Sequence, residues 1–275
     1  MQQRDSLGYT IMVAAVLCVV CSLFVSAAAV GLKSKQEANK VLDRKKNILD
    51  AAGLSTGEFG KVANELSVEQ IDLLYKRVSE GLVDLQTGEY VTDRNVAEYD
   101  PREAVNKKET SIELINPEFD PGVKKRETIA KVYFVTPPDA DKFDQIVLPV
   151  YGKGLWSTLY GYLALKSDFN TIQGLTFYEH AETPGLGGEV DNPKWKELWE
   201  GKKLYGEDGK PKVEVVKGSA PSGNSYAVDG LSGATITSRG VTNLIRYWAS
   251  DDGYGPFLDK LAENPVGPPA QEAGE

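Results

Sequence analysis

Three stretches decide how this chain folds: Gln145-Ile-Val-Leu-Pro-Val-Tyr151, Leu159-Tyr-Gly-Tyr-Leu-Ala-Leu165 and Thr171-Ile-Gln-Gly-Leu-Thr-Phe-Tyr178. Each is rich in β-branched and aromatic residues, which suit a pleated, half-buried surface. The links between them, Gly152 to Thr158 and Lys166 to Asn170, are too short for crossover helices, so the strands should pair antiparallel. Working outward, Ala130 to Val135 and Lys212 to Val216 read as further strands. Pro193 to Gly201, carrying Trp195, Leu198 and Trp199, predicts a short helix. Val241, Leu244, Ile245 and Trp248 have helical spacing just after Thr237-Ser238-Arg239, so a longer helix begins within a turn of those hydroxyls. The fold class is α+β: a mostly antiparallel sheet with flanking helices.

Upstream, Lys33 to about Val78 has a helical pattern broken around Gly53 and Gly57. Ser67-Val-Glu-Gln70 has capping-box spacing, with Ile71, Leu74, Tyr75 and Val78 following on one face. Leu82 to Leu85 and Glu89 to Thr92 flank Thr87-Gly88 as a hairpin, and Asp93 to Pro121 reads as irregular. No charged residue occurs from Ser6 to Leu32, long enough for one membrane-spanning helix. A cleaved secretory signal ending near Ala27-Ala28-Ala29 competes with that reading. The expected organisation is a tail at 1–8, a transmembrane helix at 9–32, a membrane-proximal region at 33–128, a globular domain at 129–263 and a disordered tail at 264–275.

Lys and Arg number 31 against 40 Asp and Glu, a net charge of -9, which disfavours a nucleic-acid partner. Membrane lipid is the expected surroundings of the span. The cations Lys33, Lys35, Lys40, Arg44, Lys45 and Lys46 behind the span would place the large domain in the cytoplasm by charge counting, a rule that is weak for long domains. Cys18 and Cys21 both lie inside the span, so the remainder has no thiol nucleophile, disulfide or Cys-ligated cluster. His180 is the only histidine. Gly230-Leu-Ser-Gly-Ala234 therefore makes a poor hydrolase elbow, since its histidine would have to follow the serine. Neither a catalytic acid–base set nor a metal site is expected.

Three loops could carry chemistry. Gly152-Lys-Gly154-Leu-Trp156-Ser157 is a glycine-rich turn that allows close approach of another backbone or a flat ligand. Glu182-Thr183-Pro-Gly-Leu186-Gly187-Gly188 is dense in turn residues and in unblocked N–H groups. Asp229-Gly-Leu-Ser232-Gly233-Ala234-Thr235-Ile-Thr237, with Arg239 behind it, is either an N-cap loop or an anion site at a helix start, with Thr237 as an exposed hydroxyl.

Together and in this order, the three resemble the FMN-binding domain family, in particular its members in sodium-translocating NADH:quinone reductase complexes. Ser232-Gly-Ala-Thr-Ile-Thr237 is the most specific match, and the flavoprotein of the Rnf electron-transport complex is similar in the same motifs. The resemblance implies FMN linked covalently by a phosphoester to Thr237, installed from FAD by a flavin transferase. Ser232, Gly233, Ala234 and Thr235 would line the phosphate turn, with Arg239 near enough in sequence to help. By motif match, Trp156 and Leu186 would form the wall for the flavin ring, and Gly187 is a further cofactor-binding position. Glu182 and Thr183 would make polar contacts, and Gly152 and Gly154 would permit close approach. It further implies electron relay to other subunits of an inner-membrane complex that oxidises NADH, reduces ubiquinone and exports sodium, with the flavin domain periplasmic. A noncovalent flavin reductase and a cofactor-free membrane scaffold are the alternatives.

Overall fold

The computed structural model describes residues 6–269. The chain divides into two compact units, one ending at Lys45 and one beginning at Lys46. Helix α1 (Leu7–Ala51) starts two residues ahead of the expected span and runs on without a break beyond Leu32, because no Pro or paired Gly interrupts it. Among the described residues it is the one helix long and apolar enough to cross a membrane. Its side chains from Leu7 to Leu32 are exposed all round, as a lipid-facing helix requires. Of the tail expected at 1–8, residues 1–5 lie outside the described residues.

In the second unit, α1 ends with Ile48, Leu49 and Ala51 buried, and α2 (Leu54–Phe59) and α3 (Val68–Tyr75) follow. The Ser67 hydroxyl and the Gln70 side chain form the reciprocal capping box at the start of α3. Val78, expected on this helix, instead opens strand β1 (Val78–Asp84) opposite Val135. It packs against the cluster of Tyr133, Val135 and Val147, and that tertiary contact overrides its helical spacing. The hairpin at Thr87-Gly88 is reduced to a turn and a single bridge, Val83 to Tyr90, on the outer edge of β1. The Tyr90 ring turns instead toward Phe134 and Phe257. The segment read as irregular holds a short α4 (Pro101–Val105), capped by Asp100, and β2 (Ser111–Glu113), which pairs with β3 (Lys125–Glu127).

Strands β4 (Ile129–Val135), β5 (Gln145–Lys153), β6 (Thr158–Lys166) and β7 (Ile172–Glu179) complete a five-stranded antiparallel sheet in the order β1-β4-β5-β6-β7. Side chains alternate between two covered faces. Tyr133, Val135, Val147, Tyr162 and Ala164 meet Ile48, Ala51 and Ala52. Val132, Phe134, Ile146, Leu148, Val150 and Leu163 meet the C-terminal helices and Trp199. Those helices are α5 (Pro193–Glu197), α6 (Thr235–Ala249) and α7 (Gly255–Glu263), with a parallel pair, β8 (Glu214–Val215) and β9 (Ala227–Val228), between α5 and α6. Two glycines let α6 lie close on β5. A side chain on Gly152 would strike Leu244, and one on Gly240 would strike the Lys153 carbonyl. The tail expected to be disordered from Asn264 is ordered as far as Pro269: the Tyr90 hydroxyl donates to the Val266 carbonyl (2.8 Å), and Pro268 covers Gly81. Residues 270–275 lie outside the described residues.

A buried polar knot ties β3 to the sheet and to α6. The Tyr151 hydroxyl donates to the Glu127 carboxyl (2.6 Å), and Arg126 Nε donates to the Tyr247 hydroxyl of α6 (3.0 Å). Burial pushes Glu127 up to about 7, against the opposing pull of Tyr151 and Arg126. A carboxyl raised in the folded state stabilises the fold below its unfolded value and loses that contribution as pH rises through about 7. Glu127→Gln should therefore gain stability relative to the wild type as pH rises from about 4.5 to 8, by up to about 3 kcal/mol. Chemical denaturation across that range measures it; a pH-independent difference would contradict it.

Candidate functional site

The Glu182 carboxylate is where the three loops meet. After β5 the chain turns through Gly154 to Ser157, closed by Gly154 N–H donating to the Ser157 carbonyl (2.8 Å). That turn aims three successive amides inward: Leu155 N–H (3.2 Å), Trp156 N–H (2.9 Å) and Ser157 N–H (3.2 Å) all donate to Glu182. Such a row of N–H groups is a small anion cradle. From the third loop, the Thr237 hydroxyl donates to Glu182 Oε2 at 2.6 Å. Burial alone would raise the Glu182 carboxyl, but the Thr237 hydroxyl and the three amides outweigh it and hold it below its usual range.

His180 and Ser157 brace this arrangement. Nδ1 of His180 accepts from the Glu182 N–H (3.2 Å), which leaves its proton on Nε2, 2.8 Å from the Asp191 carboxylate. Ser157 Oγ accepts from Ala181 N–H (2.7 Å), fastening the end of β7 to the first loop. Sequence reasoning did not assign either residue to the site. The lone histidine is a support, and its position two residues before Glu182 was the one available signal.

The second loop closes through the Thr183 carbonyl, which accepts from Leu186 N–H (3.1 Å) and Gly188 N–H (3.0 Å). Gly187 then lies directly over the Glu182–Thr237 pair: a Cβ there would come within 2.7 Å of both Glu182 Oε2 and Thr237 Oγ1. Gly154 is constrained in the same way, 2.6 Å from Glu182 Oε1. Gly152, by contrast, faces Leu244 and the Pro121 carbonyl. Its missing side chain makes room for α6.

Helix α6 begins at Thr235 with Ala234 as its N-cap, and no side chain caps it. Gly233 supplies the left-handed turn before it (φ 69°), and Ser238 Oγ accepts from Leu231 N–H (3.1 Å) to hold the loop shut. Because the helix starts ahead of Thr237, this residue lies in phase with Val241, Leu244 and Trp248 on the face packed against the sheet. Thr237 is fully buried, which corrects the expectation of an exposed hydroxyl.

The same phase divides the remaining predicted residues. Ser232, Gly233, Thr235 and Arg239 line a groove of about 840 Å³ on the other face of α6, with Lys217 and Asn243. Arg239 is thus not on the Thr237 face. Gly233 marks the divide, since a Cβ there would touch Leu186 at 2.8 Å. The loops that meet at Glu182 carry Trp156 (67% exposed), Leu186 (43%), Leu155 (42%) and Ile236 (56%), four apolar side chains left in solvent. Leu155 and Ile236 were not singled out from sequence. Trp195 and Trp199 are packing residues, stacked edge to face, with Trp195 Nε1 donating to the Asp229 carbonyl (2.8 Å).

These features fit FMN. An uncapped helix start favours a phosphate, the hydroxyl at that start offers a point of attachment, and the exposed apolar rim offers a flat ring a surface to cover. Over the hydroxyl itself lies Gly187, which brings no side chain to cover it.

Comparison with known proteins agrees with that fit. The FMN-binding domain family matches residues 154–250. The NqrC subunit of the Na(+)-translocating NADH-quinone reductase of Yersinia pestis is 40% identical over 263 residues, 95% of this chain and 96% of that protein. Its namesake from Vibrio alginolyticus is 46% identical over 260 residues, 94% of this chain and 97% of its own. A crystal structure of Shewanella oneidensis NqrC superposes with a TM-score of 0.74 at 37% identity, covering 82% of this chain and all (100%) of that one.

Gly187→Ala should cost about 1–3 kcal/mol, because the methyl group must displace Glu182 or Thr237 from a fully formed hydrogen bond. Gly57→Ala, a helical position with open space around it, should leave stability unchanged or slightly raised. Thermal unfolding of the pair checks this; equal melting temperatures would contradict the packing described.

Proposed function

The chain belongs to the NqrC family of Na(+)-translocating NADH-quinone reductase subunits, and we propose that it is the membrane-anchored electron-transfer flavoprotein of such a complex, with FMN held as a phosphoester on Thr237. The observation that carries the reading is the meeting of all three loops at the Glu182 carboxylate, which holds the Thr237 hydroxyl on an uncapped helix start, with exposed apolar side chains on the same loops.

A phosphoester asks only a hydroxyl of the protein, so the lack of Cys outside the span is no obstacle. The N–H groups at the start of α6, with Ser232, Gly233, Ala234 and Thr235 leading into it, would hold the phosphate. Trp156 and Leu186 would form the wall for the ring, extended by Leu155 and Ile236, with Glu182 and Thr183 as polar neighbours. Gly187 and Gly154 keep the approach free of side chains. Arg239 would act from the neighbouring groove, raising the positive potential near the phosphate without touching the Thr237 side. Bound FMN would supply the electron carrier, and the protein supplies position and electrostatics.

The partners in this reading are the other subunits of the complex, between whose redox centres this chain relays electrons while NADH is oxidised, ubiquinone reduced and sodium exported. A flavin transferase acts once, during maturation. The apolar part of α1 anchors the chain in the inner membrane, with the flavin domain on the periplasmic side. Since Thr237 is buried under Gly187, attachment requires the loop from Thr183 to Gly188 to lift, and Gly185, Gly187 and Gly188 give it that freedom.

Coexpression with a flavin transferase should give a fluorescent band on a denaturing gel for the wild type and for Thr235→Ala, and a dark band for Thr237→Ala. The Thr237→Ala chain should stay folded, since a lost buried hydrogen bond costs about 1–3 kcal/mol. A fluorescent Thr237→Ala band would overturn the attachment site. A dark wild-type band, with the transferase active on a control, would return the noncovalent reductase or the scaffold.

A further inference from the structure

We propose that Glu182 is the general base for this chain's own flavin attachment, taking the proton of the Thr237 hydroxyl as Oγ1 attacks. The inference rests on the reading of Thr237 as the attachment site and adds a chemical role that the motif match does not assign.

A threonine hydroxyl has one proton, and here that proton is committed to Glu182 Oε2 at 2.6 Å. An ionised carboxylate can only accept, so the direction of this bond is fixed. The lone pairs of Oγ1 are thereby turned away from Glu182 and become free for an electrophile once the loop covering Thr237 lifts. Glu182 is itself immobilised by Leu155, Trp156 and Ser157 N–H and by its own N–H to His180. It therefore stays in place while the loop covering Thr237 lifts. The contact distance is that required of a base acting directly on the hydroxyl.

The step balances without a redox partner. Thr237 Oγ1 attacks the phosphorus of the FMN half of FAD, held by the transferase. The Oγ1–P bond forms, the bond from that phosphorus to the bridging oxygen breaks, AMP leaves and the proton passes to Glu182. Glu182 then releases that proton to solvent, its three amide donors favouring the carboxylate, and with no proton left between them the ester oxygen and the carboxylate part. The titratable group adjoining Glu182 is His180, paired with Asp191; Arg239 lies on the opposite face of α6.

The test uses full-length protein made without transferase, then labelled with FAD and purified flavin transferase at a series of pH values, the rate being read by intact mass. Dividing the wild-type rate by that of Glu182→Gln cancels the transferase's own pH dependence and that of His180. A base role predicts labelling about 100-fold slower for Glu182→Gln near pH 7. The ratio should then shrink as pH rises, toward tenfold per unit, as hydroxide takes over the proton. A ratio constant with pH would make Glu182 a positioning residue, and equal rates would remove it altogether; either overturns the proposal. Should Glu182→Gln fail to fold, Glu182→Asp keeps a carboxylate base. Its ratio to wild type should be flat with pH, and a ratio that shrinks with pH would overturn the proposal. Label found on a hydroxyl other than Thr237 defeats the attachment reading, whereas label on Thr237 with a flat Glu182→Gln ratio defeats this inference alone.

Discussion

Four donors converge on the Glu182 carboxylate, and the site exists because of that convergence. Burying an ionised carboxylate is costly unless it is fully hydrogen-bonded. The turn after β5, the loop after β7 and the first turn of α6 are therefore locked in mutual register. Charge-assisted bonds of this kind are among the stronger ones available to a protein. Each loop alone would be an ordinary glycine-rich connection. Joined through one anion, they hold a buried hydroxyl at a helix start, covered by Gly187.

The sheet determines how well this convergence is aimed. β5 carries the first loop at its end and also supports α6, through the close contact of Gly152 with Leu244 and of Gly240 with Lys153. Any side chain at either glycine would push the helix outward and carry Thr237 away from Glu182. The second tie is the Trp248 indole, whose N–H donates to the Tyr151 carbonyl (2.8 Å), with Arg126 reaching Tyr247 from β3. Position along α6 is thus fixed at both ends by contacts to β5 and its neighbours.

Much of this was legible in the sequence because strands buried on both faces must be rich in β-branched and aromatic residues, and β4 to β7 fall where those runs stand. The glycine-rich motifs were legible as a set, since their order carries more information than any one of them. Three things were not legible. Val78 satisfied a helical period by coincidence, and only its packing against Tyr133 and Val135 shows it to be a strand residue. Reading α6 as starting after Thr237 concealed the helical phase. Counting from Thr235, the residues 235, 239, 242 and 246 share one face while 237, 241, 244 and 248 share the other, so Arg239 and Thr237 part company. The amides that hold Glu182 belong to backbone, which has no letter in a sequence.

In the proposed reading a single hydroxyl, that of Thr237, is prepared for the flavin phosphate although Ser232, Thr235 and Ser238 stand within a few residues. Trypsin releases this region as one peptide, from Gly218 to Arg239. Tandem mass spectrometry of that peptide, from protein matured with a flavin transferase, assigns the added FMN to one residue. Attachment at Thr237 predicts fragments that carry the added mass from Thr237 onward and fragments through Ile236 that do not. Added mass already present in the fragments ending at Ser232 or Thr235, or found first at Ser238, would contradict it.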